Sequence, residues 1–350
     1  MESSQLNIKG TFISKECPPY IIAEMSANHN GSIDRAIKII ETAKKCGANA
    51  IKIQTYTPDT ITLNSTKEDF MINGGLWDGR SLYDLYKEAH LPWEWHKDLF
   101  NFANEIGITI FSSPFDFSAV DFLESIDAPA YKVASFEATD IPLIEYIAST
   151  KKPMIISTGM ANFEEIGEAV YAARKQGCSQ LALLHCVSGY PAPHGEYNLK
   201  TLEDIERSFD VVTGLSDHTV NNVTAIASIS LGAAIIEKHF TLSRSDGGAD
   251  SAFSLEPDEL TNLCRDVKIA WEARGTINYD KKPSEIPNIK FRRSLYYLRD
   301  ISKGTKIASD DFRSVRPGYG LHPKLAKEII GKTLLNDVYK HTPIKAQDFK

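Results

Sequence analysis

Two histidines stand at the ends of neighbouring apolar runs, and their spacing would allow metal chemistry. The runs are VVTGLS (211–216) and AAIIEKHF (233–240), which bring His218 and His239 to their C-terminal ends. Two imidazoles that converge on one point, with carboxylates nearby, suit a divalent ion of the manganese or zinc type. The alternative is that each histidine is an ordinary hydrogen-bonded side chain, and the spacing alone leaves both interpretations open.

Two lysines and a set of hydroxyl groups predict a site for anions. Lys52 and Lys132 lie in short β-rich runs, where a buried ammonium group is costly unless an anion neutralises it. Hydroxyl groups follow the same pattern at Ser112, Ser113, Ser135, Ser157, Thr158 and Ser216. Cations combined with neutral donors suit phosphate and carboxylate groups. Structural ion pairs with Glu24 or Glu137, and Schiff-base chemistry at either lysine, remain alternatives.

The elements that must position these residues repeat along the chain. Between residues 20 and 240, eight β-rich runs alternate with amphipathic stretches such as IDRAIKIIETAKKCG. Eight strands, each followed by a helix, predict an α/β fold of the (β/α)8 TIM-barrel type, with a last helix from roughly Asp258 to Arg274. In such a barrel, side chains two apart on a strand point the same way, and those at the C-terminal strand ends face one site.

Two segments depart from this repeat. The connection between Thr57 and Leu91 is too long for a simple link, and an insertion of this kind is typically a lid or a pocket wall. We predict a barrel domain over 1–275, a polar linker over 276–291 and a small domain of strands and turns over 292–350. The last segment has 13 Lys and Arg against 6 Asp and Glu. This charge favours attraction to the acidic barrel domain or a cationic cover over an anionic ligand.

Composition excludes several classes of protein. The chain has 350 residues, of which 42% are hydrophobic and 24% are charged, as in ordinary globular proteins. A net charge of −7 opposes nucleic-acid binding through bulk electrostatics, and the apolar runs are too short to span a membrane. The start, MESSQLNIKG, predicts no secretory signal. Five cysteines without a CxxC pair indicate free thiols and a cytoplasmic protein.

The strand ends also carry motifs that resemble those of a known family. The barrel motifs are IIAEMSANHNGS, GANAIKIQTYTPDT, FSSPFD, AYKVASFE, IISTGM, LLHCVSGYP, GLSDHT and EKHF, and those near the C-terminus are RSLY, ISKG and VRPGYGLHPK. On these motifs the chain resembles the sialic acid synthases over nearly its whole length. The resemblance implies a transferase that condenses phosphoenolpyruvate with an acetamido sugar, built on a TIM barrel followed by a small antifreeze-like domain of the SAF (β-clip) type.

The resemblance also implies roles for individual residues. By analogy with the family, His218 and His239 would bind a divalent metal, with Mn2+ expected and Mg2+ or Co2+ as alternatives. Phosphoenolpyruvate would be bound by Lys52, Ser113, Lys132, Ser135, Ser157 and Ser216. The sugar and water side would be lined by Glu24, Gln54, Glu137, Tyr190 and Asp250. Among all these residues, the resemblance implies catalytic roles for Glu24, Gln54, Glu137 and Lys132. Arg316 would reach the partner's active site in a homodimer with swapped C-terminal domains.

Two departures from the family bear on the sugar. Ser188 occupies the position in CVSGYP where the sialic acid enzymes have Asn, so this substrate contact is expected to differ. The insertion GGLWDGRSLYDLY resembles the branch that uses a 2,4-diacetamido-2,4,6-trideoxyhexose, with Trp77, Tyr83 and Phe253 as candidate apolar walls or as core residues. The alternatives are an N-acetylneuraminic or legionaminic acid synthase, a related barrel acting on a phosphorylated aldose, and a non-catalytic carbohydrate-binding protein.

Overall fold

A computed structural model describes residues 5–350, which divide into two units between Gly275 and Thr276. The first four residues, which belong to the stretch in which we expected no secretory signal, lie outside the described residues. The strands are β1 Leu6–Ile8, β2 Thr11–Ile13, β3 Tyr20–Glu24, β4 Ala50–Thr55, β5 Thr109–Pro114, β6 Tyr131–Val133, β7 Met154–Ser157, β8 Leu181–Cys186, β9 Val212–Ser216, β10 Ile235–His239, β11 Ser294–Tyr297 and β12 Phe312–Val315. The helices are α1 Ile33–Cys46, α2 Pro58–Ile61, α3 Leu82–Ala89, α4 Trp93–Ile106, α5 Phe117–Ser125, α6 Ile141–Ser149, α7 Phe163–Lys175, α8 Thr201–Phe209, α9 Val223–Ser230, α10 Pro257–Arg274 and α11 Ala326–Ile329.

Strands β3 to β10 close a parallel barrel in the order β10-β3-β4-β5-β6-β7-β8-β9, which confirms the predicted (β/α)8 fold. Each of these strands is followed by helix before the next one begins. The register places Glu24 beside Lys52 and Glu237 beside Ser216, so the polar strand ends lie at one level. Strand β6 ends at Val133, and a 3-10 turn over Ser135–Glu137 follows it.

Local sequence signals explain where the helices begin and end. Helix α1 begins after Ser32, whose hydroxyl accepts a hydrogen bond from the Arg35 amide at 3.3 Å. It ends at Gly47, which has a φ of 98° that suits glycine at a helix C-terminus. Helix α10 begins at Pro257 behind a capping box formed by Glu256 and Glu259. It therefore starts one residue before the predicted position.

An antiparallel hairpin, β1 paired with β2, precedes the barrel. Leu6, Ile8 and Ile13 from this hairpin are buried in one apolar cluster with residues from the starts of the barrel strands, including Ala50 and Ile235. A second cluster lies between the strands and the surrounding helices. The barrel therefore has a closed apolar end, and its polar residues lie at the opposite strand ends.

The C-terminal unit has its own fold and its own core. Strands β11 and β12 pair antiparallel, with Ser294 opposite Val315, and isolated bridges such as Ile301 to Val338 extend the pairing. Its core is formed by Leu295, Tyr297, Ile301, Ile307, Phe312, Ile329, Leu334, Val338 and Ile344. Across residues 5–350, the structure contains no helix that is long and apolar enough to cross a membrane.

Candidate functional site

The carboxyl ends of the barrel strands carry a layer of buried and half-buried polar side chains. The layer comprises Glu24, Lys52, Gln54, Ser113, Lys132, Ser157, Ser216, Glu237 and His239. Lys52 and Lys132 are only 4% and 1% exposed. A charge buried to this degree must be neutralised by a neighbouring charge or by a ligand. The layer thus brings together most of the residues predicted to bind phosphoenolpyruvate, and their individual roles remain predictions.

Glu237 lies at the centre of the charged network. Its Oε1 is 2.8 Å from Lys52 Nζ and 3.9 Å from Lys132 Nζ. Lys52 Nζ also lies 3.3 Å from Glu24 Oε2, whereas Lys132 Nζ donates hydrogen bonds to Ser157 Oγ at 2.6 Å and to the Val133 carbonyl at 3.0 Å. Of the two carboxylates that we named as structural partners, Glu24 thus pairs with Lys52. For Lys132, the neighbouring carboxylate is that of Glu237.

Burial shifts the protonation of three groups of this site, Glu24, Glu137 and Lys132, towards their neutral forms. Burial raises the pKa of Glu24 to about 7, although Lys52 opposes this shift. Burial likewise raises the pKa of Glu137 to about 7, and it lowers the pKa of Lys132 to about 8. Groups with such pKa values can exchange protons near pH 7, which general acid-base catalysis requires.

Several polar atoms of the layer are buried without a hydrogen-bond partner among the described residues. They are Ser113 Oγ, Glu237 Oε2 and His239 Nδ1, and Glu137 Oε2 in the turn after β6 is likewise without a partner. Buried polar groups are almost always hydrogen-bonded in native proteins, and exceptions call for a water, an ion or a ligand. Because these atoms lie among the strand ends, they indicate a ligand site inside the barrel mouth.

The two predicted metal ligands face each other. The ring centroids of His218 and His239 are 5.5 Å apart. His218 Nδ1 donates to the Val187 carbonyl at 2.9 Å, so its Nε2 keeps the lone pair that a metal ligand needs. His239 Nδ1 has Asp250 Oδ2 at 3.9 Å, and burial holds the pKa of this imidazole well below its usual value. Two imidazoles that face each other fit a divalent ion that completes its coordination with substrate and water.

This fit is restricted to a two-histidine site. No group of three or more His, Cys, Asp or Glu residues in a metal-binding arrangement is found over residues 5–350. A metal held here would therefore keep open coordination positions, as catalytic metal sites do.

A second ion pair lies on the outer side of the same two strands and holds the loop after β9. Lys238 Nζ is 2.8 Å from Asp217 Oδ2 and also donates to the carbonyls of Thr219 and Asn221 at 2.8 and 3.0 Å. Lys238 precedes His239 and Asp217 precedes His218. The buried pair therefore fixes the backbone on which both imidazoles stand.

The predicted sugar-side residues lie next to the histidines. The Tyr190 ring lies 4.4 Å from His218 and 5.1 Å from Phe253, measured between centroids. The Asp250 carboxylate accepts a hydrogen bond from Ser26 Oγ. These residues combine aromatic faces with a hydrogen-bonding carboxylate, a composition suited to a sugar that has both apolar and polar edges.

On the same side, Gln54 and Glu24 are joined directly. Gln54 Nε2 donates to Glu24 Oε1 at 2.9 Å. This bond holds the carboxylate in one orientation in the polar layer.

Ser135 and Ser188 are brought together at Gly159. The Gly159 amide donates to Ser135 Oγ at 3.2 Å. A Cβ atom added at Gly159 would lie 2.8 Å from Ser135 Oγ and would overlap Ser188 Oγ. The absence of a side chain at this glycine therefore lets two predicted substrate-binding hydroxyls approach the same backbone segment.

The remaining predicted residues occupy different surroundings. Arg316 lies in the C-terminal unit, directly after β12, and its role in a partner's site stays a prediction. Tyr83 donates to Asp59 Oδ1 at 3.1 Å, whereas Phe253 and Trp77 contact the Tyr190 ring. Of the three candidate aromatic walls, Phe253 and Trp77 thus join the sugar side, and Tyr83 interacts within the inserted segment.

Sequence reasoning missed three residues that the structure places here. Glu237 lies two residues before His239 and thus points the same way, so the period of two along the strand could have identified it. Ser26 binds Asp250 from a 3-10 turn that no strand pattern reveals. Cys186 is buried on β8, and its Sγ lies 3.9 Å from His218 Nδ1.

Comparison of the sequence with known families identifies the class of protein to which this barrel and this C-terminal unit belong. The NeuB family matches residues 39–279, and the SAF domain matches residues 292–350. The chain belongs to the NeuB family.

The most informative relatives cover almost the whole chain. The chain is 45% identical over 331 residues to the pseudaminic acid synthase of Campylobacter jejuni strain 81-176, covering 95% of this chain and 96% of the relative. It is 40% identical over 334 residues to the pseudaminic acid synthase of Helicobacter pylori strain 26695, covering 95% and 98%. Among solved structures, N-acetylneuraminic acid synthetase from Leptospira borgpetersenii matches with a TM-score of 0.74 and 29% identity, covering 82% of this chain and 95% of that one.

Proposed function

We propose that this chain is a pseudaminic acid synthase. It condenses phosphoenolpyruvate with 2,4-diacetamido-2,4,6-trideoxy-L-altrose and water, and it releases pseudaminic acid and phosphate. The observation that carries the proposal is the buried layer in which Lys52 and Lys132 face hydroxyls and unpaired oxygens beside two histidines. The identity of 45% to a pseudaminic acid synthase supports this choice of sugar over that of the legionaminic acid synthase from Legionella pneumophila, which is 35% identical.

The anionic substrate is held by the lysines and serines of the layer. The carboxylate and phosphate of phosphoenolpyruvate compensate the ammonium charges of Lys52 and Lys132, and Ser113, Ser135, Ser157 and Ser216 donate hydrogen bonds. Burial makes these interactions stronger than they would be in water, because the local dielectric constant is low. The serines and lysines thereby orient C3 of phosphoenolpyruvate towards the sugar aldehyde.

Carbon–carbon bond formation leaves positive character on C2 of phosphoenolpyruvate, and water then adds to this carbon. Glu24 and Glu137, whose pKa values burial raises to about 7, provide a carboxylate that takes a proton from this water. Gln54 holds the Glu24 carboxylate in position. The resulting tetrahedral centre expels phosphate by cleavage of its C–O bond, and Lys132 stabilises the charge on the leaving group.

A divalent metal, with manganese expected, completes the proposal. His218 and His239 would hold the ion, which when bound supplies Lewis-acid polarisation of the aldehyde. This proposal of a metal site is supported by the facing pair of imidazoles and by His239 Nδ1, which has no hydrogen-bond partner among the described residues. The proposed histidine role is tested by Mn2+ binding to His239→Ala, with His341→Asn as a matched control because His341 is exposed in the C-terminal unit.

We further propose a homodimer with swapped C-terminal domains, in which Arg316 contacts the sugar in the partner's site, and a cytoplasmic location. The basic C-terminal segment and the spacing of the five cysteines support these two points. The mass of the protein in solution tests the dimer. The exchange of C-terminal domains is tested by the activity of a mixture of the Arg316→Ala and Lys132→Met variants. Mixed dimers of two inactive variants would regain activity only if each subunit completes the other's site.

The deciding experiment measures phosphate release from phosphoenolpyruvate with Mn2+ and three sugars. We expect turnover with 2,4-diacetamido-2,4,6-trideoxy-L-altrose and little with N-acetylmannosamine or 2,4-diacetamido-2,4,6-trideoxymannose. Turnover with either of the other sugars in preference to the altrose would move the chain to the N-acetylneuraminic or legionaminic branch. Stoichiometric sugar binding without phosphate release would indicate a carbohydrate-binding protein instead.

A further inference from the structure

The inserted segment between β4 and α4 presents one tryptophan to the barrel mouth. Within this segment, residues 71–81 form a turn in which the Ile72 amide donates to the Arg80 carbonyl and the Gly79 amide donates to the Ile72 carbonyl, both at 2.9 Å. The Gly74 amide binds Asp78 Oδ1 at 2.5 Å across the tip. Trp77 therefore projects from a hydrogen-bonded turn.

Trp77 contacts both loops that carry the predicted sugar-side residues. Its indole Nε1 donates to the Ala249 carbonyl at 2.9 Å, directly before Asp250. Its ring lies 5.9 Å from the Tyr190 ring at an angle of 53°. One side chain thus joins the loop after β8 to the loop after β10.

These two loops also contact the histidine pair. Tyr190 packs on His218 at 4.4 Å, and Phe253 packs on His239 at 4.8 Å. The loop around Asp250 has a further anchor, since Asn30 Nδ2 donates to the Gly247 carbonyl at 3.1 Å. On the Tyr190 side, the inserted turn contributes the contact between the Trp77 indole and the Tyr190 ring. A substitution at Trp77 therefore alters how Tyr190 and Asp250 are placed relative to each other.

We propose that Trp77 is a positioning residue for the sugar half of the site. It fixes Tyr190 and Asp250 at the separation that receives an acetamido deoxy sugar, with the aromatic faces against the apolar edge of the sugar and the carboxylate towards its hydroxyls. Lys52 and Lys132 lie on barrel strands rather than on the two loops, so phosphoenolpyruvate binding does not depend on Trp77. This role rests on the proposed function of the chain.

The test is steady-state kinetics with both substrates varied, on the full-length wild-type protein, Trp77→Phe and Trp77→Leu. Phenylalanine keeps a ring against Tyr190 but cannot donate to Ala249, and leucine loses both contacts. We expect the KM for the altrose sugar to rise about 5-fold in Trp77→Phe and about 30-fold in Trp77→Leu, as loss of one hydrogen bond and one ring contact predicts. The KM for phosphoenolpyruvate is expected to change less than about 2-fold.

Leu76→Ala is the matched control, because Leu76 neighbours Trp77 on the same turn and is 48% exposed. It should leave both KM values unchanged. An equal rise in both KM values, accompanied by a lower thermal midpoint in Trp77→Phe, would mean a merely structural role and would overturn the proposal. An unchanged sugar KM in Trp77→Leu, with active wild-type protein, would overturn the positioning role alone. Wild-type protein that releases no phosphate with any of the three sugars would overturn the proposed function, and this role with it.

Discussion

The two ends of the barrel are built from the same eight strands and have opposite chemistry. At the amino ends, Ala50 of β4 and Ile235 of β10 are buried in an apolar cluster closed by the β1–β2 hairpin. Two residues further along each strand, at the carboxyl ends, stand Lys52 and Glu237. A distance of two positions along a strand thus separates residues that pack in the apolar cluster from residues of the polar layer. The apolar end stabilises the fold, and this stability tolerates buried charges with shifted pKa values at the other end.

The largest effect on turnover is expected at the polar end. Lys132→Met replaces a buried ammonium group by an apolar side chain of similar length, so phosphate release should fall about a thousandfold through lost charge stabilisation. The free energy of unfolding should change by less than about 2 kcal/mol, because the carboxylate near Lys132, that of Glu237, keeps its ion pair with Lys52 at 2.8 Å and is not left uncompensated. Phosphate-release assays and urea denaturation measure the two quantities. Lys175→Met, on the exposed face of α7, should alter neither.

At the apolar end the expected pattern is reversed. Phe111→Ala removes a fully buried ring from the interior cluster, and such truncations cost about 3–5 kcal/mol of stability. Because Phe111 lies below the polar layer, the folded fraction should keep its kcat and both KM values. Denaturant titration and kinetics on the same preparation would contradict the separation of roles if kcat fell in proportion to stability.

A smaller effect on the kinetics is expected from a substitution at Gly159, whose backbone lies against Ser135 and Ser188. In Gly159→Ala the added Cβ would overlap Ser188 Oγ and crowd Ser135 Oγ. Displacement of the Ser135 hydroxyl should raise the KM for phosphoenolpyruvate about 10-fold, with a small loss of stability. Gly195→Ala serves as the control, because no atom lies within 4 Å of the position of its Cβ. Wild-type kinetics in Gly159→Ala would show that these serines are not substrate contacts.

The smallest effect concerns pH, and it distinguishes the polar end from ordinary surface charges. In the proposed mechanism the active form needs deprotonated carboxylates at Glu24 and Glu137, whose pKa values of about 7 make kcat/KM rise with pH up to that value. It also needs protonated Lys132, whose pKa of about 8 makes kcat/KM fall at higher pH. We expect a narrow bell-shaped profile between these limits. A profile that stays flat from pH 6 to 9 would contradict the assignment of these three groups.

The contrast between the two ends also explains what could be predicted from the sequence. Strand positions follow from local patterns: the runs VVTGLS (211–216) and AAIIEKHF (233–240) contain the observed strands β9, Val212–Ser216, and β10, Ile235–His239. The inward face followed from the period of two, so Lys52 and His239 were identified together with their neighbours. These signals are contained within single segments.

The missed features depend on contacts between distant segments. Glu237 lies 185 residues from Lys52, and the two meet because closure of the barrel places β10 beside β3, next to β4. The contacts of Trp77 likewise require the fold of an inserted segment that has no regular period. Local periodicity can place a residue on a face, but it cannot specify its partner across a closed barrel.

The ion pair behind the histidines affects how these enzymes can be recombined. On the outer face of β10, Lys238 binds Asp217 and the carbonyls of Thr219 and Asn221. Segments 216–222 and 237–239 therefore form one structural unit. A chimera that takes one segment from a distant relative and the other from this chain would pair mismatched halves. Domain-shuffling experiments should therefore exchange the two segments as a single module, although 14 residues of strand, helix and turn separate them in the linear chain.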